Sequence, residues 1–430
     1  MRVSTSQIYD SGIQNMTGQQ ARINETQDQL SSGRRVLQPS DDPTAAARTL
    51  DLEGAISSIE RFNRNAELAE NRLSMSETAL EQAGNNIQRI RELAIQAANG
   101  SQDQETRNYI ASEVRERYEQ LIQLANTEDG NGEYLFSGAK TRTQPFTKGD
   151  DDRVAYNGDQ SSRQVRVGPG REMSIDHSGF DAFMKIPNGN GEYQVREDPG
   201  NTGTGVAMVV EQGVQRPEPP VDAYRIRFAE DEEGELRYAV QRTHDEGNPD
   251  AWEWVTSDGY GRAPAVADAP RFEPGQTIEV EDGVRIRIDG EPDAAESFRE
   301  RHGDPGDTFT VSRSQSQSLF ESVREMVTAL EEKGDGAEFR NAINRTIGDL
   351  DLAMENMFEV RAEIGARLSG LDSERASNEA ALIDLERAVS TEEDLDYAEA
   401  TGRFSQEQAG LQAAQMTFRQ VQDLSLFNYL

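Results

Sequence analysis

The chain has no cysteine in 430 residues, which excludes disulfides and thiol chemistry without fixing the compartment. Its three histidines, His177, His244 and His302, form no His-Glu-x-x-His arrangement, so a zinc-protease site is not expected. Only 35% of residues are hydrophobic and 7% aromatic. That argues against one large core and for long helices with thin apolar seams. No stretch is apolar enough to cross a bilayer, and the first residues lack the apolar run of a secretory signal. The expectation is an intracellular chain, or one exported without a cleaved signal. Lysine is scarce: Lys140, Lys148, Lys185 and Lys333 are all there are. A net charge of −35 argues against nucleic acid and anionic membrane as partners. The acidity is spread evenly, with 35 Asp plus Glu against 19 Lys plus Arg in residues 141–312. An even spread suggests adaptation to a salty solvent; the plainer reading is a surface that keeps the protein soluble.

What the chain does have is apolar periodicity at both ends. Tyr397, Phe404, Leu411 and Phe418 recur every seven residues, with Ala400, Ala414 and Val421 three positions behind and Glu407 breaking that second row. Tyr9, Met16, Ile23 and Leu30 repeat likewise, with Ile13 between. A seven-residue repeat makes a narrow stripe, the seam of a coiled coil. Gln20, Gln27, Gln408, Gln415 and Gln422 run beside the stripes, placed to set register against a partner. Thin stripes repay little of the entropy of ordering such helices, so both ends are expected to be mobile in the monomer and to fold on assembly. An ordinary intramolecular bundle is the plainer alternative.

In chain order, residues 1–44 read as an assembly helix and turn. Gly33 closes that helix, and Asp42 with Pro43 caps the next. Residues 45–139 read as the N-terminal half of a helical rod. Ile59, Ala66, Leu73, Leu80, Ile87 and Ala94 repeat every seven residues, with Ser76 the gap in the companion row. A shorter helix bearing Ile110, Val114, Leu121 and Leu124 follows, then a corner at Gly132–Gly138. From 140 to 312 glycine and proline are frequent and short alternating runs predict strands at 154–156, 164–167, 224–228, 236–240, 277–280, 284–288 and 308–311. Residues 313–393 return to helix, with Ile343, Leu350, Met357, Ile364 and Leu371 on a long element. Residues 394–430 are the closing assembly helix. The fold class is mainly α with inserted β, a long α-helical coiled-coil bundle formed by the N- and C-terminal regions around a β-rich middle domain.

Signals for chemistry are thin, and no catalytic residue, cofactor or metal is expected. Asp129-x-Asn131-x-Glu133 faintly suggests calcium but lacks the glycine and distal glutamate of such a loop. Asn188-Gly189-Asn190-Gly191 has neither the strand-to-helix context nor the lysine of a nucleotide loop. Trp252 and Trp254 alternate on one face of a possible strand; local packing is the plainer reading than a sugar platform.

Gln88-Arg89-Ile90-Arg91-Glu92-Leu93-Ala94-Ile95-Gln96-Ala97-Ala98-Asn99-Gly100 closely resembles the signature of bacterial flagellins and their relatives. Leu30-Ser31-Ser32-Gly33 followed by Asp41-Asp42 does so too. Gly132-Glu133-Tyr134-Leu135-Phe136-Ser137-Gly138 and the run Leu424-Ser425-Leu426-Phe427-Asn428-Tyr429-Leu430 are similar to the hook-associated branch of that family, which joins hook to filament. The resemblance covers about residues 1–140 and 305–430 and carries nothing onto 150–300. It implies a structural subunit exported unfolded by the flagellar type III apparatus and assembled in a ring of its own copies outside the cell. It also implies hook-associated protein 1 and flagellin as neighbours, with an export chaperone on the C-terminal helix. The assembly interface it implies is Tyr9, Ile13, Met16, Ile23, Leu30, Tyr397, Phe404, Leu411, Phe418, Val421, Leu424, Leu426, Phe427 and Leu430. Flagellin itself, or a flagellin-like frame carrying an adhesive or enzymatic middle module, are the alternatives.

Overall fold

The computed structural model describes residues 5–99, 103–211, 221–248, 251–256, 259–280, 284–298, 306–334 and 336–427. Its helices are α1 (Thr5–Ser32), α2 (Pro43–Ala98), α3 (Gln104–Ala125), α4 (Leu319–Glu332), α5 (Ala337–Glu393) and α6 (Tyr397–Phe427). The strands are β1 (Phe146–Lys148), β2 (Val154–Tyr156), β3 (Gln164–Gly168), β4 (Arg171–Ser174), β5 (Ile186–Pro187), β6 (Tyr193–Glu197), β7 (Val206–Glu211), β8 (Ala223–Glu230), β9 (Leu236–Thr243), β10 (Glu253–Thr256), β11 (Gly259–Gly261), β12 (Thr277–Glu279), β13 (Arg285–Asp289), β14 (Thr308–Arg313) and β15 (Ser316–Gln317). Helical ends thus enclose a β-rich middle.

The helix boundaries follow local chemistry. Asp42 Oδ1 accepts from the backbone N–H of Ala45 at 3.0 Å and of Thr44 at 3.2 Å, and Pro43 opens α2 at a position whose N–H would be unpaired anyway. The Ala45 N–H and the Arg35 guanidinium hold the Asp42 carboxyl below its ordinary pKa. Gly33 ends α1 in the left-handed region at φ 75°, a conformation that favours glycine. Along α2 the row Ile59, Ala66, Leu73, Leu80, Ile87 and Ala94 is buried throughout. Ser76, the gap beside it, is buried too, its hydroxyl donating to the Arg72 carbonyl at 2.9 Å. The gap is therefore satisfied by its own helix. Helix α5 runs to Glu393, well past the last large apolar residue of its repeat, Leu371. Alanine, glutamate and arginine sustain it there as good helix formers.

The chain divides into two compact units. Met1–Glu67, Arg166–Glu172 and Leu371–Leu430 form the first; Leu68–Val165 and Met173–Gly370 form the second. In the first, the tip between β3 and β4 is held by side-chain amides on two helices. Asn65 Nδ2 donates to the Arg166 carbonyl at 2.8 Å and Asn378 Nδ2 to the Val167 carbonyl at 2.9 Å. Arg171 pairs with Glu374 at 3.0 Å.

In the second unit, a six-stranded antiparallel sheet of order β11-β10-β9-β8-β14-β6 faces a three-stranded one of order β12-β13-β7. Both supply one core, with Tyr224, Ile226, Phe228, Phe309 and Val311 from the larger sheet and Ile278, Ile286 and Ile288 from the smaller. Every strand predicted from alternation is present. Missed were β1, β4, β5, β6, β7, β11 and β15, all but β7 five residues or shorter. Trp252 lies just outside β10, whereas Trp254 is buried on it against Phe298. Local packing therefore accounts for Trp254.

The corner at Gly132–Gly138 is pinned from within the same unit. Arg72, only 5% exposed, donates to Asp129 Oδ2 at 2.9 Å and to the Tyr134 carbonyl at 2.7 Å. Asp129 Oδ1 accepts from the N–H groups of Asn131 and Glu133. The faint calcium pattern is thus a turn whose carboxylate is answered by a guanidinium. Phe136 leaves the corner to pack edge-on against Phe183 at 5.4 Å. The Asn188–Gly191 turn is likewise structural, since Asn188 is buried and bonded to Gln194 at 2.9 Å.

Candidate assembly surface

Helices α1 and α6 pack against each other, antiparallel, within one chain. The pairing can be followed along its length. Gly12 lies under the Phe418 ring, where an added Cβ would sit 2.9 Å from it. Thr26 Oγ1 donates to Glu407 Oε2 at 2.9 Å. Arg403 Nη2 donates to Gln29 Oε1 at 2.8 Å. Gly33 meets the Tyr397 hydroxyl, 3.0 Å from where a Cβ would stand. Glycine at the first and last of these places lets an aromatic approach the backbone closely.

The far end is locked by the connecting loops. Arg35 N–H donates to the Glu393 carbonyl at 2.6 Å, and Leu395 N–H to the Gly33 carbonyl at 2.9 Å. Arg34 and Arg48 add ion pairs to Glu393 at 3.5 Å and Glu392 at 3.2 Å. Both pairs are exposed on the arginine side and contribute little to stability; the backbone bonds define the junction.

The structure brings together part of the set read from periodicity. Ile23 is buried, and Met16, Leu30, Phe404, Leu411 and Phe418 are half-buried in or beside the seam. Ile13 and Tyr397 remain 49% and 55% exposed, as does Met416 at 62%. The side chains of Tyr9, Val421, Leu424, Leu426 and Phe427, and the whole of Leu430, lie outside the described residues. Gln20, Gln27, Gln408 and Gln415 are exposed. Within the chain, register is set instead by Thr26, Gln29, Arg403 and Glu407. The one available signal for these was position: Thr26 lies in the row three residues behind the Met16–Ile23 stripe, as Glu407 does in its own helix.

A model of the bacterial flagellin N-terminal helical region matches residues 3–141, and one of the C-terminal helical region matches residues 347–430. Together they cover more than half of the chain. The chain belongs to the bacterial flagellin family. Among flagellin-family relatives, flagellar hook-associated protein 3 of Escherichia coli K12 is 34% identical over 186 residues, 43% of this chain and 58% of that protein. The chain thus matches little more than half the length of that curated relative. Polar flagellin F of Vibrio parahaemolyticus is 27% identical over 176 residues, 41% of this chain and 44% of that one. The crystal structure of flagellar hook associated protein-3 from Legionella pneumophila aligns with a TM-score of 0.69 at 29% identity, over 79% of this chain and 97% of that one. That of FlgL from Xanthomonas campestris aligns at 0.65 and 29%, over 79% and 99%. The flagellin-family helices account for α1, α2, α3 and α6 and most of α5; the β-rich middle falls between the two family matches.

Proposed function

We propose that this chain is the structural subunit that joins the flagellar hook to the filament, acting through its terminal helices and carrying no catalytic step. The observation that carries the reading is the α1–α6 pair. It uses one side of each helix and leaves Ile13, Tyr397 and Met416 half-exposed, apolar surface that a neighbouring subunit would cover. The partners are further copies in a ring, hook-associated protein 1 on the hook side and flagellin on the filament side. An export chaperone holds α6 before assembly. The site of action is the extracellular hook–filament junction, reached by type III export. The higher identity to hook-associated protein 3 than to polar flagellin F favours a junction protein over a filament subunit.

Deleting the gene tests this. Bare hooks and flagellin monomers shed into the medium are expected, and the full chain should restore attached filaments. A chain lacking α1 and α6 that still restored them would overturn the reading. Long filaments formed by the purified chain under salting-out conditions would instead make it a flagellin.

A further inference from the structure

The face of the six-stranded sheet turned away from the shared core carries a row across five strands, in which Trp254 and Gln241 are buried, Trp254 with Ala269 and Phe298, while Arg225 and Thr310 are half-buried. Strand register places Trp254 opposite Gln241, Gln241 opposite Arg225, Arg225 opposite Thr310 and Thr310 opposite Arg196. Residues so paired share one face of a sheet. The core residues Tyr224, Ile226 and Val311 point to the other. Arg225 lies on the indole of Trp252, its guanidinium carbon 3.9 Å from the ring centroid. It is half-buried, and desolvation pushes its pKa down. Among the described residues it has no hydrogen bond and no ion pair. A guanidinium packed over an aromatic ring can still offer N–H groups to a carboxylate. Asp198 and Glu246 act on Arg225 through space without forming an ion pair, which leaves its N–H groups open to a further carboxylate.

The opposite end of the same hairpin is acidic. Between β8 and β9 the chain reads Glu230-Asp231-Glu232-Glu233-Gly234-Glu235. Asp231 and Glu235 are taken up by Arg237 at 2.9 and 3.5 Å, and Glu235 also by Arg271 at 3.1 Å. Glu230, Glu232 and Glu233 are exposed, and among the described residues their side chains have no ion pair. Five residues of strand separate Arg225 from Glu230, about 16 Å at about 3.3 Å per residue, so the two charges cannot meet within one copy.

We propose that the acidic β8–β9 turn of one copy docks on the Arg225–Trp252 face of a second copy. The two surfaces differ, so the contact is heterologous, the kind that closes a ring when its rotation allows. The inference rests on the proposed function only in setting copies side by side.

Because the chain has no cysteine, a double variant with Glu233→Cys and Thr310→Cys can cross-link only through the new thiols. In isolated flagella, mild oxidation is expected to give a ladder of dimers and higher multimers, and each single variant none. Adding Arg225→Glu should abolish the ladder, and adding Glu232→Arg to that should restore it. Variant protein present in flagella without a ladder, or a charge swap that restores nothing, overturns the proposal. In a second arm, the full chain is sedimented at low salt. Arg225→Glu should weaken self-association at least tenfold with its urea midpoint unchanged, and unchanged association overturns the proposal. That arm needs no flagellum, so it separates this failure from failure of the junction reading.

Discussion

Thr26 donates its hydroxyl hydrogen to Glu407, 2.9 Å away across the seam of α1 and α6, so the residue that interrupts the apolar row of α6 has its partner on the opposite helix. A hydrogen bond to a charged group contributes about 1.5–3 kcal/mol, and the partial exposure of Glu407 puts this one at the low end. Thr26→Ala should therefore weaken the pair by about 1.5 kcal/mol, read as faster amide exchange in α1 and α6 of the full chain. Combining Thr26→Val with Glu407→Leu should recover protection, since an apolar pair leaves no carboxylate stranded.

Gly12 is a spacer for Phe418. A side chain there starts 2.9 Å from the ring, and overpacking of this kind costs about 1–3 kcal/mol. Gly12→Leu is expected to separate the helix ends and reduce filament attachment, with Phe418→Ala on the same chain restoring part of it. Equal attachment by Gly12→Leu and the parent chain would show that the close approach is dispensable.

Arg72 holds the corner of the second unit. Removing one partner of a buried ion pair costs about 3–5 kcal/mol, because Asp129 would keep its charge without a guanidinium. Arg72→Met should lower the urea midpoint of the full chain accordingly. Asp129→Asn should cost less, since the amide oxygen still accepts the N–H groups of Asn131 and Glu133.

Asp349 sets a pH dependence. It lines a cavity of about 130 Å³ with Glu325, Arg345 and Arg196 and accepts the Gly189 N–H at 3.1 Å. Burial, opposed by that N–H and reinforced by Glu325, raises its pKa from 3.8 to about 6. The folded chain therefore binds this proton more readily than the unfolded chain between those values. Its contribution to stability is full below 3.8 and lost as pH rises through about 6. Asp349→Asn should stabilise the protein by about 1–3 kcal/mol at pH 7.5 and change little at pH 3.5. Thermal melts at both pH values would reveal it; an equal change at both would refute the assignment.

Much of the fold was legible because helical seams repeat. The buried row from Ile59 to Ala94 and the Asp42-Pro43 cap depend on neighbours a few residues away. The same logic found the stripes of Met16, Ile23 and Leu30 and of Phe404, Leu411 and Phe418. Within the chain, Ile13 shares the helix but turns outward and the flanking glutamines stay exposed, where only a partner could meet them. Seven-residue spacing marks a stripe without saying which polar neighbours lie under the facing helix. Strands such as β6 and β7 escaped because their pattern was supplied by partners far away in sequence.

By itself, then, the amino-acid order determined the long helices, the caps that start them, the acidic character and the family signature, since each depends on local spacing or on composition. Only the tertiary structure decided that α1 mates with α6 of the same chain, that Arg72 occupies the Asp129 turn, and that Arg225 rests on Trp252. Those depend on residues tens to hundreds of positions apart arriving within a few ångströms, which no local pattern encodes.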